Sequence, residues 1–263
     1  MKMKSFFVVY LFLLLLFFSS CYHNKRMIYL QDKHYSESNV TTVENKRMPY
    51  RLQPFDILSI QIKSAGDKDI SNVFNLIPYQ SSMFVSPGNL YLEGYSIDAT
   101  GKITLPVLGD IVVKDLTLEG AQKVIQANVD RYLKQATAII KLTSFKVTVL
   151  GEVKSPGYYY VFNNQATLLE ALGLAGDLTP VGNRRNVKLI RQSEAGSQVV
   201  LLDLTDPNLL KSNYYYLMPG DVLYVEPFRA RAKRTNLELL TVVFSGLTTA
   251  ILVLSYMDQN NNN

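Results

Sequence analysis

The chain has 263 residues, is 48% hydrophobic, carries a formal charge of +5 and contains one cysteine. That is enough for one or two packed domains, and a lone thiol excludes a disulfide framework or a cysteine-rich metal site. With 27 basic residues against 22 acidic ones, two of the basic ones at the extreme N-terminus, the balance is too even to point to nucleic acid.

Lys2 and Lys4 precede an apolar run from Phe6 to Phe18, and Ser19, Ser20 and Cys21 follow. A charged start, a short apolar stretch and a small-residue site read as a signal peptide over residues 1–20. The run is shorter than the roughly 20 apolar residues that cross a bilayer. The string FSSC resembles a bacterial lipobox, which implies cleavage before Cys21 and lipid on its thiol and new amine. The alternative is an ordinary secretory signal with an incidental cysteine. With Cys21 lipidated no thiol remains, so the mature protein rests on burial and assembly. Residues 21–47 are polar with little periodicity and read as a tether with one short strand at Met27 to Leu30.

A first domain is expected over residues 48–144. Leu58, Ile60 and Ile62 alternate with polar residues, as in a strand with one buried face. Residues 64–90 form a long loop-like stretch. YSIDATGKITLPVLGDIVV reads as strand, turn, strand, with the turn at Asp98 to Gly101. Next, Leu118, Ala121, Val124, Ile125, Val129, Tyr132 and Leu133 share one helical face, with Thr117 as N-cap and Glu119 in the first turn. TAIIKLT returns as a strand.

A second domain is expected over residues 145–228. FKVTVLGEV is a strand, KSPG a turn and YYYVF another strand. Thr167 and Glu170 are spaced as a capping box for a helix of about two turns. Strands follow at NVKLIR, QVVLLDL and DVLYVEP. The order predicts an α+β fold: two small sheet-plus-helix domains.

The last element, residues 237–256, is a 20-residue apolar run whose one charge is Glu238. As a helix it rises about 30 Å, one hydrocarbon thickness, and it is expected to be transmembrane. Thr241, Ser245, Thr248, Leu252 and Ser255 fall on one stripe. The hydroxyls of Thr241, Ser245, Thr248 and Ser255 are candidates for facing a wet pore. Helix–helix packing and bonding to their own backbone remain open for them. The basic cluster Arg229, Arg231, Lys233 and Arg234 would suit a lone inner-membrane anchor, but cleavage at Cys21 puts it on the wrong side for that. Acidic groups of outer-membrane lipid or of a partner suit it better.

Two longer motifs carry a family resemblance. RLQPFDILSIQI with IDATGKITLPVLGDIVVKDLTLEGAQKVI resembles the polysaccharide-export domain of Wza-like outer-membrane lipoproteins. VLGEVKSPGYYYV with LMPGDVLYVEP resembles the soluble-ligand-binding β-grasp (SLBB) domain that accompanies it. Gly101, Gly109, Gly151, Gly157 and Gly220 stand at turns where positive φ is often needed, two of them after proline as in type II turns. The resemblance implies a ring of about eight copies around a cavity. Capsular or extracellular polysaccharide passes through it from periplasm to cell surface, and the terminal helices form an outer-membrane barrel. It also implies an inner-membrane polysaccharide copolymerase as partner. The chain has room for one β-grasp domain, where two are common, so its periplasmic body is expected to be shorter.

No catalytic set stands out. His23 and His34 lie in the tether, and no nucleotide-binding or nucleophile-elbow motif is found. Cofactor and metal sites are therefore expected to be absent, and the protein is expected not to be an enzyme. The competing readings are a lipoprotein module that binds a soluble glycan or cell-wall fragment, and an enzyme acting on cell-wall glycans. Two tyrosine triplets, Tyr158 to Tyr160 and Tyr214 to Tyr216, could stack on sugars, although tyrosine is also an ordinary strand residue.

Overall fold

The computed structural model of the chain describes residues 27–32, 35, 36, 38, 40–64, 73–75, 91–193, 196–228 and 234–260. In the last helix, side chains are described for 241–253, 256 and 257. Cys21, the signal peptide, both histidines, Arg229, Arg231, Lys233, most of the 64–90 loop and the side chains of Arg234 and Ser255 lie outside them.

The first domain is built on β1 (Ile57–Ser64), flanked by β2 (Tyr95–Ser96) and β5 (Ala136–Leu142) in an antiparallel sheet ordered β2-β1-β5. A hairpin, β3 (Lys102–Leu105) with β4 (Gly109–Val112), and helix α1 (Leu118–Val129) complete it. Leu58, Ile60 and Ile62 pack with Ala121, Ile125 and Val129 in one core. The expected N-cap holds, with Thr117 Oγ1 accepting from Gly120 N at 3.1 Å. The expected helical face is too wide. The helix ends at Val129, its buried residues are Ala121, Ile125 and Val129, and Val124 and Tyr132 are exposed. Leu118 and Leu133 of the expected face pack at the margin of the core, on either end of this i, i+4 row.

Three side-chain amides finish the sheet edges. Gln126 Nε2 donates to Ala136 O at 2.8 Å while Ala138 N donates to Gln126 Oε1 at 2.8 Å. Gln122 Nε2 adds a bond to Ala138 O at 3.1 Å. On β1, Ile62 N donates to Asn75 Oδ1 at 2.9 Å and Asn75 Nδ2 returns a bond to Ile62 O at 3.1 Å. Each amide stands in for a paired strand, which keeps the backbone groups of an edge from being left open.

The second domain holds a five-stranded sheet ordered β10-β9-β12-β6-β7. Its strands are β6 (Lys146–Gly151), β7 (Gly157–Tyr160), β9 (Gly182–Ser193), β10 (Gly196–Leu202) and β12 (Val222–Pro227). β12 runs parallel to β6, and the other pairs are antiparallel. A minor pair, β8 (Ala166–Thr167) with β11 (Tyr216–Leu217), leads into helix α2 (Leu168–Leu174). The capping box is formed: Glu170 N donates to Thr167 Oγ1 at 3.1 Å, and Thr167 N to Glu170 Oε2 at 3.2 Å. Val147, Val149, Leu189 and Leu223 meet Leu168 and Leu172 in a second core. Leu142 packs against both cores.

Gly151 shows why one turn demands glycine. Its φ is +89°, and an added Cβ would lie 2.1 Å from the Val225 carbonyl oxygen. Gly157, expected at positive φ, is instead the first residue of β7, paired with Val149. Pro156 leads the chain straight into the strand.

The apolar run near the C-terminus folds as helix α3 (Arg234–Asn260). Among the described residues no helix is long and apolar enough to cross a membrane, so the expectation of a spanning helix is met only as a helix.

Candidate functional site

Three regions hold the polar chemistry. The first is the entry to β1. Asp56 is buried and its carboxylate gathers three donors. Tyr50 Oη and Gln53 N bond Oδ2 at 2.8 and 3.0 Å, and Ser144 Oγ bonds Oδ1 at 3.1 Å. Burial pushes its pKa up, against the pull of these bonds. Ser144 also accepts from Ile57 N at 3.1 Å, so this carboxylate ties the start of the first domain to its last residues. Phe55, just before it, stands at φ +74° and is 75% exposed. Next to it, one residue past Ile97, which bonds Phe55 and Asp56 through the backbone, Asp98 makes the predicted turn. Its Oδ1 accepts from Lys102 N at 2.9 Å and from both Thr100 N and Oγ1 at 2.8 Å, which holds its carboxyl below the usual range.

The second region lies between the domains. A cleft of about 280 Å³ is lined by Arg47, Leu52, Glu119, Gln165, Tyr216 and Pro219 among others. The Arg47 guanidinium lies 5.1 Å from the Tyr216 ring centre. Bonds from Arg47 and Asn45 lower the Tyr216 pKa. Behind the cleft, the LMPGD turn is fixed by a buried ion pair. Arg191 Nε and Nη2 donate to Asp221 Oδ1 and Oδ2 at 2.9 and 2.7 Å, and Met218 N donates to Asp221 Oδ2 at 2.8 Å. Sequence reasoning missed this pair. The signal was there: Arg191 continues the inward row Val187, Leu189 on β9, where a charge needs a buried partner.

The third region is α3. Ser245 Oγ donates to Val242 O at 2.8 Å, and Thr248 Oγ1 to Phe244 O and Ser245 O at 3.0 and 2.9 Å. Thr249 Oγ1, off the proposed stripe, donates to Ser245 O at 2.8 Å. These hydroxyls are satisfied within their own helix, so they need neither water nor a neighbour.

The tyrosine triplets part ways. Tyr158 is 64% exposed on β7, edge-on to Tyr160 with ring centres 6.0 Å apart. Tyr214 lies under Arg191 and Tyr216 under Arg47, so the second triplet is held by cation–π packing. Among the described residues no group of histidine, cysteine, aspartate and glutamate could hold a metal ion.

A sheet-plus-helix domain is joined, through Leu142, to a second, β-grasp-like domain. Residues 44–143 match the polysaccharide biosynthesis/export protein family, and residues 145–225 match the SLBB domain. The two matches together cover most of the chain, an export domain followed by an SLBB domain. The chain is 28% identical over 196 residues to the EPS I polysaccharide export outer membrane protein EpsA of Ralstonia nicotianae, covering 69% of this chain and 48% of that protein. Its similarity to the protein of the same name from Ralstonia solanacearum is also 28%, over 191 residues, with 69% and 49% covered. The chain thus spans about half the length of the curated relatives it matches.

Proposed function

We propose that this protein is an outer-membrane subunit of a channel that exports capsular or extracellular polysaccharide from periplasm to cell surface. The observation that carries the reading is the order of parts: an export domain, one SLBB domain and then an apolar helix, in a chain similar to named outer-membrane export proteins. In this reading the protein acts by geometry. Cys21 is lipidated, residues 48–144 and 145–228 form the periplasmic body, and copies close into a ring. An inner-membrane copolymerase delivers the polymer.

Helix α3 supports assembly. Val242, Phe244, Ile251 and Val253 are all exposed in a single chain, an apolar surface that neighbouring copies and lipid would cover. We read the apolar run 237–256 as the membrane segment of the ring. Thr241, Ser245, Thr248 and Ser255 then face the passage, with Leu252 among them. The Ser245 and Thr248 hydroxyls donate within their own helix, which leaves their oxygens as the polar surface of this side. In cells lacking the chromosomal copy, wild-type protein is expected to restore surface polysaccharide. Ser245→Leu with Thr248→Leu is expected to export less than Val243→Leu. Equal export by the two variants contradicts a pore-facing stripe, and full export without the protein contradicts the channel.

A further inference from the structure

The segment expected to be a free tether is fastened to the second domain. Leu30 N donates to Leu204 O at 3.0 Å and Gln31 N to Thr205 O at 2.7 Å. Tyr29 and Leu30 pack against the second core. These two bonds take the place of the short strand expected at Met27 to Leu30.

Beneath Tyr29 lies an unusual cation. The pairing of β9 with β12 slips between Val225, opposite Val187, and Pro227, opposite Gly182. The extra residues of β9 bulge, and bulges re-aim side chains. Here Arg184 is turned inward and is 5% exposed. Its Nη2 is 3.9 Å from Asp177 Oδ2. Its Nε and Nη1 have no hydrogen-bond partner among the described residues. Tyr29 is the cover: the guanidinium lies 5.2 Å from its ring centre, and its hydroxyl donates to Asp177 Oδ1. Closing the cover thus gains a cation–π contact, a bond to a carboxylate and two backbone bonds. It also covers two guanidinium nitrogens that no other described residue satisfies, which offsets part of that gain.

We propose that Tyr29, Asp177 and Arg184 form a releasable clasp that fastens the N-terminal strap to the SLBB domain and sets the reach of the lipid anchor. The reach half rests on the reading of Cys21 as the lipidated residue; the clasp half does not. Closed, the link from Cys21 to Tyr29 is eight residues, at most about 28 Å. Open, the link lengthens toward fastenings nearer the first domain, of which Arg47 over Tyr216, 26 residues from Cys21, sets an upper bound of about 90 Å. Closing the clasp therefore shortens the link between Cys21 and the body.

Amide hydrogen exchange on the purified full-length mature protein in detergent tests the clasp whatever the state of Cys21. Tyr29→Ala is expected to speed exchange at Leu30 and Gln31 at least tenfold and to leave Leu189 and Leu223 in the sheet unchanged. Tyr29→Phe, which keeps the ring and loses only the hydroxyl, is expected to fall between that variant and wild type. Arg184→Met is expected to slow the same two amides, because the closed state then strands no donor. Wild-type exchange at Leu30 and Gln31 in Tyr29→Ala overturns the clasp. So does equal acceleration of Leu189 and Leu223, which makes Tyr29 an ordinary core residue. Faster exchange in Arg184→Met overturns release by unmet donors. If these results hold but the mass of the mature wild-type protein shows no lipid on Cys21, the clasp stands and the lipid reading falls.

Discussion

The two domains solve the same problem with different chemistry. Each lays one helix on one small sheet, yet the first finishes its edges with neutral amides and holds its buried carboxylate, Asp56, with neutral donors, while the second fixes a turn with a buried ion pair. Gln122, Gln126 and Asn75 complete β5 and β1 without an ion pair. Arg191 and Asp221 hold the LMPGD turn with a two-pronged salt bridge, and Asp221 is 1% exposed. Neutral amide bonds are each modest and separable, whereas a buried charge that loses its partner is left in low dielectric. The first domain should therefore tolerate single losses that the second does not.

The largest effect is expected where that charge is orphaned. Asp221→Ala should cost about 3–5 kcal/mol in a denaturant unfolding curve, because Arg191 is then buried alone. A cost under about 1 kcal/mol would erase the contrast between the domains. Gly151→Ala comes next, at about 2–3 kcal/mol, from a Cβ set against the Val225 carbonyl and a backbone at φ +89°. Gln126→Ala should cost about 1–2 kcal/mol, since it removes both amide bonds that cap the β5 edge. If it costs as much as Asp221→Ala, the neutral edge is no gentler than the charged turn.

The smallest effect expected is one of slope with pH. Burial raises the folded pKa of Asp56 above its unfolded value of 3.8. The folded state therefore binds the proton more readily. The contribution of Asp56 is fully present below about pH 4 and is lost as pH rises through the raised value. Asp98 is lowered and runs the other way: its contribution is present above 3.8 and is lost as pH falls through its folded value. Asp56→Asn should then flatten the decline of stability from pH 4 upward, read from unfolding midpoints across pH 4 to 7. An unchanged slope would show that the three hydrogen bonds offset the burial.

Much of this was legible from the residues. The alternation of Leu58, Ile60 and Ile62 marks β1, DATG marks the turn held by Asp98, and the Thr167–Glu170 spacing marks the capping box. Each depends on neighbours a few positions away. What escaped depends on distant partners. Val124 follows the helical repeat but finds no sheet beneath it. Gln126 reads as a solvent residue until a strand edge needs its amide. Tyr29 and Arg184 are 155 positions apart and meet only because β9 bulges. The hydroxyls of α3 were legible as a stripe, but their bonds to their own backbone decide what that stripe requires of its surroundings.

The most direct measurement is a projection image of the detergent-purified, full-length mature protein. The account predicts closed rings with a central stain-filled opening, lost when Phe244 and Ile251 on α3 are both changed to lysine. Uniform single-chain particles in wild type, with export still intact in cells, would contradict a channel made by assembly.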